Sequence, residues 1–372
     1  MTAAIATPFG AGAPENPIKV MLVDDSLVAR SVARRALSAD ADVEIVASAS
    51  NGKTAIDTVA AAAPDIVILD IEMPVMNGLE ALPELLKRRP GLKVVISSSL
   101  SRQNAEVSIK ALKLGAADIL LKPKASDGPQ AAEEFCAELV AKVRSIGGAK
   151  KHATRPRADR PAPRPTVRTV ARTGAHPVSA IAIGSSTGGP QALAATFGGW
   201  KANGGNQPVF ITQHMPPTFT SILAEHLSRS SSAVVAEGQD GEPVAESRIY
   251  VAPGDKHMRV VKRDDGLFIT LDGGPKVNFC RPAVDPMFES LAACYGAGVL
   301  ACVLTGMGRD GAAGAAAVRA KGGLVLAQDE ETSVVWGMPG AVVAGGHADE
   351  VLALPAIGAR LAELARGKGV GR

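Results

Sequence analysis

The stretch Val20–Asp25 (VMLVDD) decides the fold of the first part of this chain, together with Ile66–Asp70 (IVILD) further along. Each is a short apolar run that ends in aspartate, the pattern of a buried strand in a parallel sheet. Similar runs alternate with helical patterns over residues 19–146. The alternation predicts a doubly wound, flavodoxin-like α/β fold with five parallel strands, in which ligands bind at the carboxyl edge of the sheet.

Three aspartates stand at that edge: Asp24 and Asp25 follow the first strand, and Asp70 ends the third. Clustered carboxylates of this kind bind a hard cation through oxygen, and Mg²⁺ needs few protein ligands. A bound Mg²⁺ neutralises an approaching phosphate, so that an aspartate can attack it as a nucleophile. The Ser98 hydroxyl at the end of the fourth strand and Lys122 at the end of the fifth complete a predicted phosphate site.

A second chemistry begins at the turn 184–188 (GSSTG), which follows the apolar run 180–183. The turn fits G-x-S-x-G between a strand and a helix, which presents Ser186 as a nucleophile. A phosphate-cradling loop is the alternative, but the lysine of GxxxxGK[ST] and the GxGxxG pattern are missing. His214 follows the next strand, and Asp310 lies in a glycine-rich turn after a later one. These residues predict a serine, its base and the carboxylate that orients the base.

Composition divides the chain into four parts. Residues 1–17 predict a flexible tail, and residues 18–146 form the first α/β domain. Residues 147–177 hold eight Lys and Arg against one Asp, with interleaved prolines, and predict an extended linker. Such a basic run could instead bind nucleic acid or anionic lipid, which the prolines and the lack of aromatics disfavour. Residues 178–372 predict a second doubly wound α/β domain with a small β-rich insert.

Bulk composition argues against several classes of function. Aromatic residues make up only 3%, which disfavours stacking surfaces for single-stranded nucleic acid. The four cysteines form no C-x-x-C pair and read as reduced thiols of a cytoplasmic protein. No Lys or Arg precedes Lys19, and the most apolar run, residues 291–304, is too short to span a bilayer. We therefore expect a cytoplasmic protein with no nucleic-acid partner and no direct membrane insertion.

The first domain resembles the receiver domain of bacterial response regulators. The matching motifs are Leu22–Ser26 (LVDDS), Asp70–Gly78 (DIEMPVMNG) and Lys122-Pro123 (KP). They occur in the same order on alternating strands over about residues 18–145. The resemblance implies that a chemotaxis histidine kinase is the phosphodonor.

The receiver resemblance also implies one role for each strand-end residue. Asp70 is the phosphoacceptor, and it binds Mg²⁺ together with Asp24 and Asp25. Ser98 is the switch hydroxyl, and Lys122 contacts the phosphate.

The second domain closely resembles the catalytic domain of chemotaxis protein-glutamate methylesterases, the CheB family. The matching runs are Ile183–Pro190 (IGSSTGGP), Ile211–Pro217 (ITQHMPP), Ala252–Met258 (APGDKHM), Arg281–Asp285 (RPAVD) and Leu304–Gly311 (LTGMGRDG). The chain order Ser–His–Asp differs from that of α/β-hydrolases, chymotrypsin and subtilisin, so an ordinary esterase fold is not expected.

This resemblance implies Ser186 as nucleophile, His214 as base, Asp310 as the residue that orients the base, and the backbone N–H of Met307 as an oxyanion donor. It implies no cofactor in the hydrolase site. His257, in a turn that enters a strand, is a further candidate for the cleft.

Two residues depart from the family pattern. Ser185 stands where alanine is usual, a small change that we expect to fit. Arg309 stands where asparagine is common, and it is expected to alter contacts with the substrate.

The two halves together imply a phosphorylation-regulated hydrolase of bacterial chemotaxis. It would remove γ-methyl esters from glutamates of methyl-accepting chemotaxis receptors and deamidate receptor glutamines to glutamate. A phosphorylation-gated adaptor with an inactive hydrolase-like output is the alternative. A transcription factor would need a shorter, basic helix-turn-helix output, which residues 178–372 do not resemble.

Overall fold

A computed structural model of the chain describes residues 16–153, 176–198, 200 and 204–367. Nearly all of the predicted tail, and residues 154–175 of the predicted linker, therefore lie outside the described residues. Within the described ranges, no helix combines the length and the apolar character that crossing a bilayer requires.

The first sheet has five strands in the order β2-β1-β3-β4-β5. They are β1 (Ile18–Val23), β2 (Val43–Ala49), β3 (Ile66–Asp70), β4 (Lys93–Ser99) and β5 (Asp118–Lys122). Strand β1 pairs in parallel with both β2 and β3, and β4 pairs in parallel with β5. The chain reverses direction across the sheet at β1 and β3, so the strand order leaves a crevice at their carboxyl ends. The predicted five-stranded fold is confirmed.

Helices alternate with these strands: α1 (Leu27–Ser38), α2 (Gly52–Ala62), α3 (Gly78–Arg88), α4 (Arg102–Lys113) and α5 (Gly128–Ala153). Four of them begin at a side-chain N-cap, namely Ser26, Asn51, Asn77 and Ser101. The Ser26 hydroxyl accepts a hydrogen bond from the Ala29 N–H at 3.2 Å, and Asn77 forms a capping box with Glu80. Helix α5 runs on to Ala153, so the prediction of an extended chain from residue 147 is wrong for its first part. The good helix formers Ala and Lys at 149–151 explain the extension.

The second sheet has seven strands, in the order β14-β13-β12-β6-β7-β9-β8. They are β6 (Ala180–Ser185), β7 (Val209–Gln213), β8 (Val234–Glu237), β9 (Arg248–Val251), β12 (Val299–Val303), β13 (Leu324–Gln328) and β14 (Glu350–Leu352). All its pairs are parallel. From β6 the chain builds outward through β7, and from β12 it builds outward through β13 in the other direction. The junction of β6 and β12 is therefore the position where a doubly wound sheet binds its ligand.

Helices cover both faces of the second sheet. One face carries α6 (Gly189–Phe197), α7 (Phe219–Ser231) and α11 (Leu354–Ala365), and the other carries α8 (Val284–Tyr295), α9 (Ala312–Ala320) and α10 (Met338–Ala344). Along β6 the side chains alternate between these layers, with Ile181 and Ile183 on one side and Ala180 and Ala182 on the other. A sheet buried on both faces has nearly continuous apolar strands, as the sequence indicates.

The β-rich insert is an antiparallel hairpin of β10 (His257–Arg263) and β11 (Gly266–Asp272), as predicted. Three short elements were missed from the sequence, namely β8, α10 and β14. Their lengths of four, seven and three residues leave too few positions for a periodic pattern to show.

Candidate functional site

The three strand-end aspartates of the first sheet lie together. Carboxylate oxygens of Asp24, Asp25 and Asp70 lie within 4.8 Å of one another. Asp24 and Asp70 are buried, whereas Asp25 is exposed. Three clustered carboxylates with one open side fit a small hard cation that keeps several waters.

Two further residues lie at the ends of neighbouring strands. Ser98 is buried in β4, with its hydroxyl 3.4 Å from the Ser99 carbonyl oxygen, and Lys122 is the last residue of β5. Ser99 and Lys122 are register partners. Both side chains thus belong to the carboxyl edge that also carries Asp70, and their roles toward phosphate remain predictions.

In the second sheet, Ser186 occupies the turn between β6 and α6. Gly188, with φ of 78°, caps α6, a conformation that favours glycine. A Cβ atom at Gly306 would lie 2.9 Å from the Cβ of Ser186, so the chain after β12 passes directly against the serine. Ser186 is partly exposed, and its Oγ makes no hydrogen bond to the described residues.

His214 is held against Asp310. Its Nε2 lies 2.7 Å from the Asp310 Oδ2, and its side chain is only 10% exposed. Because an ionised carboxylate only accepts hydrogen bonds, Nε2 carries the proton and Nδ1 is left as the basic nitrogen. Any nucleophile that His214 activates must therefore approach Nδ1.

The Asp310 carboxylate receives hydrogen bonds from several donors besides His214. They come from the backbone N–H groups of Val284, Asp285 and Gly311 and from the Asn278 amide, at 2.6 to 3.1 Å. Burial raises the pKa of Asp310, but the hydrogen bond and the charge of His214, with the backbone donors, outweigh it and lower the pKa. The first N–H groups of α8 thus stabilise an anion, as helix N-termini do.

Cys280 contacts the other nitrogen of the base. Its Sγ lies 3.3 Å from the His214 Nδ1. Burial lowers the pKa of His214, but hydrogen bonds with Asp310 and Cys280 outweigh burial and raise the pKa to about 10. The His214 Nδ1, which any nucleophile would have to approach, therefore has the Cys280 sulfur beside it.

A tight turn over residues 277–280 places both Asn278 and Cys280. Val277 and Cys280 exchange two backbone hydrogen bonds, at 2.9 and 3.0 Å, and Asn278 and Phe279 have φ of 50° and 66°. Positive φ at both central positions is the pattern of a type I′ turn. Sequence reasoning missed these two site residues, although Asn278 is a residue type that tolerates left-handed backbone.

Comparisons with known proteins agree with this geometry. The family model described as CheB methylesterase matches residues 181–361, and the response regulator receiver domain model matches residues 20–132. A protein-glutamate methylesterase/protein-glutamine glutaminase of Paramagnetospirillum magneticum is 48% identical in an alignment of 366 positions that covers 94% of this chain and 96% of that protein. The chain belongs to the CheB methylesterase family.

Other CheB relatives match along the whole chain. One, from Rhodopseudomonas palustris, is 45% identical in an alignment of 388 positions, gaps included, that covers 99% of each chain. Among solved structures, the catalytic domain of Thermotoga maritima CheB methylesterase is 42% identical, covers 51% of this chain and all of its own, and has a TM-score of 0.49.

The first departure of this CheB sequence, Ser185, fits as expected. Ser185 is fully buried, and its hydroxyl donates to the Gln213 Oε1 at 2.7 Å. The Nε2 of Gln213 in turn donates to the backbone carbonyls of Ser186 at 2.9 Å and His214 at 3.3 Å. The Gln213 amide therefore joins the turn that carries Ser186 to the loop that carries His214. The Ser185 hydroxyl orients that amide.

The second departure, Arg309, is exposed beside the buried Asp310, and its side chain makes no ion pair or hydrogen bond with the described residues. Met307, two residues earlier, is partly exposed. Its backbone N–H has no hydrogen-bond partner among the described residues, so it is available to a ligand.

Two buried polar residues, His257 and Asp285, hold the loop that carries Asn278 and Cys280. His257, the further candidate for the cleft, is 1% exposed, and its Nε2 donates to the Pro275 carbonyl while its Nδ1 accepts from the Ala283 N–H. His257 therefore holds both ends of the loop that carries Asn278 and Cys280. Asp285 accepts from the Asn278 amide at 2.9 Å; burial and the nearby charge of Asp310 raise the pKa of Asp285.

Asp310→Asn should lower the pKa of His214 from about 10 toward the ordinary value, because the amide carries no charge. The raised pKa of His214 also makes the stability of the fold depend on pH. A raised pKa stabilises the fold below the unfolded-state pKa of about 6.5, and this stabilisation is lost as pH rises toward 10. NMR titration of the His214 ring would measure the shift, with Asp349→Asn, which removes a carboxylate that pairs with Arg319, as the control. An unchanged pKa of His214 in Asp310→Asn would contradict the pairing.

Proposed function

We propose that this chain is a protein-glutamate methylesterase and protein-glutamine glutaminase whose nucleophile is Ser186, with His214 as its base and Asp310 as the residue that orients the base. The observation that carries the proposal is the buried hydrogen bond between His214, which follows β7, and Asp310, which follows β12. The strand between these two, β6, leads into the Ser186 turn. Gln213 bonds the carbonyls of both Ser186 and His214, which supports the approach of the hydroxyl to the ring.

In the first half-reaction, the Ser186 Oγ attacks the side-chain carbonyl carbon of a glutamate methyl ester or a glutamine. Nδ1 of His214 accepts the hydroxyl proton, because Nε2 is bonded to Asp310. The Met307 N–H is the proposed donor to the oxyanion of the tetrahedral intermediate. Nδ1 then returns the proton to the leaving oxygen or nitrogen, and methanol or ammonia departs.

Water completes the reaction. It attacks the acyl group on Ser186 while Nδ1 of His214 accepts its proton, and collapse of the second intermediate returns that proton to the Ser186 Oγ. The product is glutamate in both cases, because the ester and the amide reach the same acyl-enzyme. The buried, charged Asp310 supports the imidazolium that forms in each half-reaction.

The first domain supplies the control. Asp70 is the proposed phosphoacceptor, and the oxygens of Asp24, Asp25 and Asp70 would hold Mg²⁺, to which their number and spacing are suited. Bound Mg²⁺ supplies positive charge that offsets the charge of the entering phosphoryl group. Ser98 and Lys122 would contact the phosphoryl oxygens, which biases the first domain between two states.

The partners and the cellular location that we propose are those expected for this family. A receiver domain takes its phosphoryl group from a histidine kinase, and the substrate residues belong to chemotaxis receptors. We place the protein in the cytoplasm, with a first domain that begins at residue 18 and includes all of α5, and a second domain over residues 178–372. An adaptor with an inactive output is disfavoured, since all three triad members are present and two of them are hydrogen-bonded.

Ser186→Ala should lower esterase and deamidase activity together by about 10⁴-fold or more, since both need the same nucleophile. The assay measures methanol released from methylated receptor and ammonia released from receptor glutamine. Ser185→Ala is the matched control and should keep most of both activities. A folded Ser186→Ala protein with either activity near wild type would overturn the nucleophile assignment.

Asp70→Asn should abolish incorporation of phosphate from a small phosphodonor and, with it, any stimulation of methyl-ester hydrolysis. The amide is a poor nucleophile, and it also removes one charge from the cation site. Asp57→Asn, on the exposed side of α2, is the control and should be phosphorylated like wild type. Labelled phosphate that persists on Asp70→Asn would place the acceptor elsewhere.

A further inference from the structure

The proposed mechanism leaves one nucleophile of the site without a role. Cys280 has its Sγ 3.3 Å from the His214 Nδ1, on the opposite side of the ring from Asp310. Cys280, His214 and Asp310 thus form a chain of thiol, imidazole and carboxylate, the arrangement in which a histidine activates a cysteine.

The other cysteines lack this environment. All four are free thiols in the described part of the chain. The Sγ of Cys294 donates to the Val260 carbonyl at 3.3 Å, and burial raises the pKa of that thiol. Cys302 is fully buried, and burial raises its pKa as well. Cys136, Cys280 and Cys294 are all partly exposed, but Cys280 is the one among the described cysteines that has a histidine nitrogen beside its sulfur.

The proton positions favour reactivity at Cys280. Because Nε2 of His214 donates to Asp310, Nδ1 is the nitrogen that shares a hydrogen with the Cys280 sulfur. A neutral ring accepts that hydrogen from the thiol, and the imidazolium that the raised pKa of His214 favours holds it beside a thiolate. Transfer of that hydrogen to Nδ1 gives a thiolate beside an imidazolium, and Asp310 stabilises the imidazolium. The thiolate is the form of cysteine that reacts with electrophiles and peroxides.

The backbone holds the sulfur in this position. Cys280 ends the tight turn 277–280, whose other anchor is the Asn278 amide on Asp310. The next residue, Arg281, bonds through its guanidinium to Asp255 and to the carbonyl of Gly274. The sulfur is therefore fixed beside Nδ1 on a residue that is partly exposed.

We propose that Cys280 is an oxidation-sensitive thiol that controls the catalytic base: a hydroperoxide converts its Sγ to a sulfenic acid, whose added oxygen then occupies Nδ1 of His214 and keeps Ser186 from using it. The effect on activity rests on the proposed function, in which Nδ1 accepts the Ser186 proton. The reactivity of the thiol does not.

The chemistry balances with hydrogen peroxide as the oxidant. The thiolate sulfur attacks one peroxide oxygen, an S–O bond forms and the O–O bond breaks, so sulfur loses two electrons that the peroxide gains. The hydroxide that leaves takes the proton from the His214 imidazolium and becomes water. A thiol reductant reverses the change: one thiol forms a mixed disulfide and releases water, and a second thiol frees Cys280.

The test uses the full chain and three variants, Cys280→Ser, Cys294→Ser and His214→Gln. Each protein is treated with hydrogen peroxide, the peroxide is removed, and methyl-ester hydrolysis is measured before and after dithiothreitol. Sulfenic acid is trapped with dimedone and located by mass spectrometry. Dithiothreitol does not reduce methionine sulfoxide, so recovery excludes oxidation of Met307 as the cause.

We expect wild type and Cys294→Ser to lose activity about tenfold in step with dimedone labelling of Cys280, and to regain it with dithiothreitol. Treated Cys280→Ser should keep the activity that it had before treatment. Equal loss in Cys280→Ser, or full labelling of Cys280 with undiminished activity, would overturn the proposal.

A second measurement is independent of turnover. The rate of Cys280 alkylation by iodoacetamide should fall about tenfold in His214→Gln, because the base that takes the thiol hydrogen is gone. An equal rate in both proteins would refute activation of the thiol. If alkylation depends on His214 while untreated wild type hydrolyses no methyl ester, the proposed function fails and the activated thiol remains.

Discussion

The buried carboxylate of Asp310 is the group on which the hydrolase site depends. It binds the His214 Nε2–H and, with the N–H groups that begin α8, joins the end of β12 to the helix that packs on β6. An uncompensated charge at 1% exposure would be costly, but the hydrogen bonds it accepts stabilise it. The same bonds fix the orientation of the histidine ring and leave Nδ1 as the nitrogen that faces away from Asp310.

Both domains carry their candidate site at the carboxyl edge of a doubly wound parallel sheet. In both sheets, the functional side chains lie where the strand order reverses, at β1 and β3 in the first and at β6 and β12 in the second. The cluster of the first sheet includes one exposed carboxylate, Asp25, whereas Asp310 of the second sheet is buried and hydrogen-bonded by the protein.

Strand-end residues could be predicted from the sequence, because an apolar run with a polar end fixes both the strand and the edge. This reasoning placed Ser186 and His214 and both sheets. It could not find Asn278 or Cys280, which reach the site from a turn that follows the insert, since no periodicity relates such a turn to a sheet edge. The helical course of residues 147–153 was missed because charge and glycine suggested a linker, while tertiary context and alanine favour helix.

We propose that Ser186 forms the covalent intermediate although the sulfur of Cys280 lies beside the same histidine nitrogen. Rapid acid quench of the full chain during its first turnover of a methylated receptor peptide, followed by peptide mapping by mass spectrometry, tests it directly. The account predicts a transient acyl group on Ser186 that forms and decays at catalytically competent rates. An acyl group on Cys280, or product formation with no acyl-protein at any time, would contradict it.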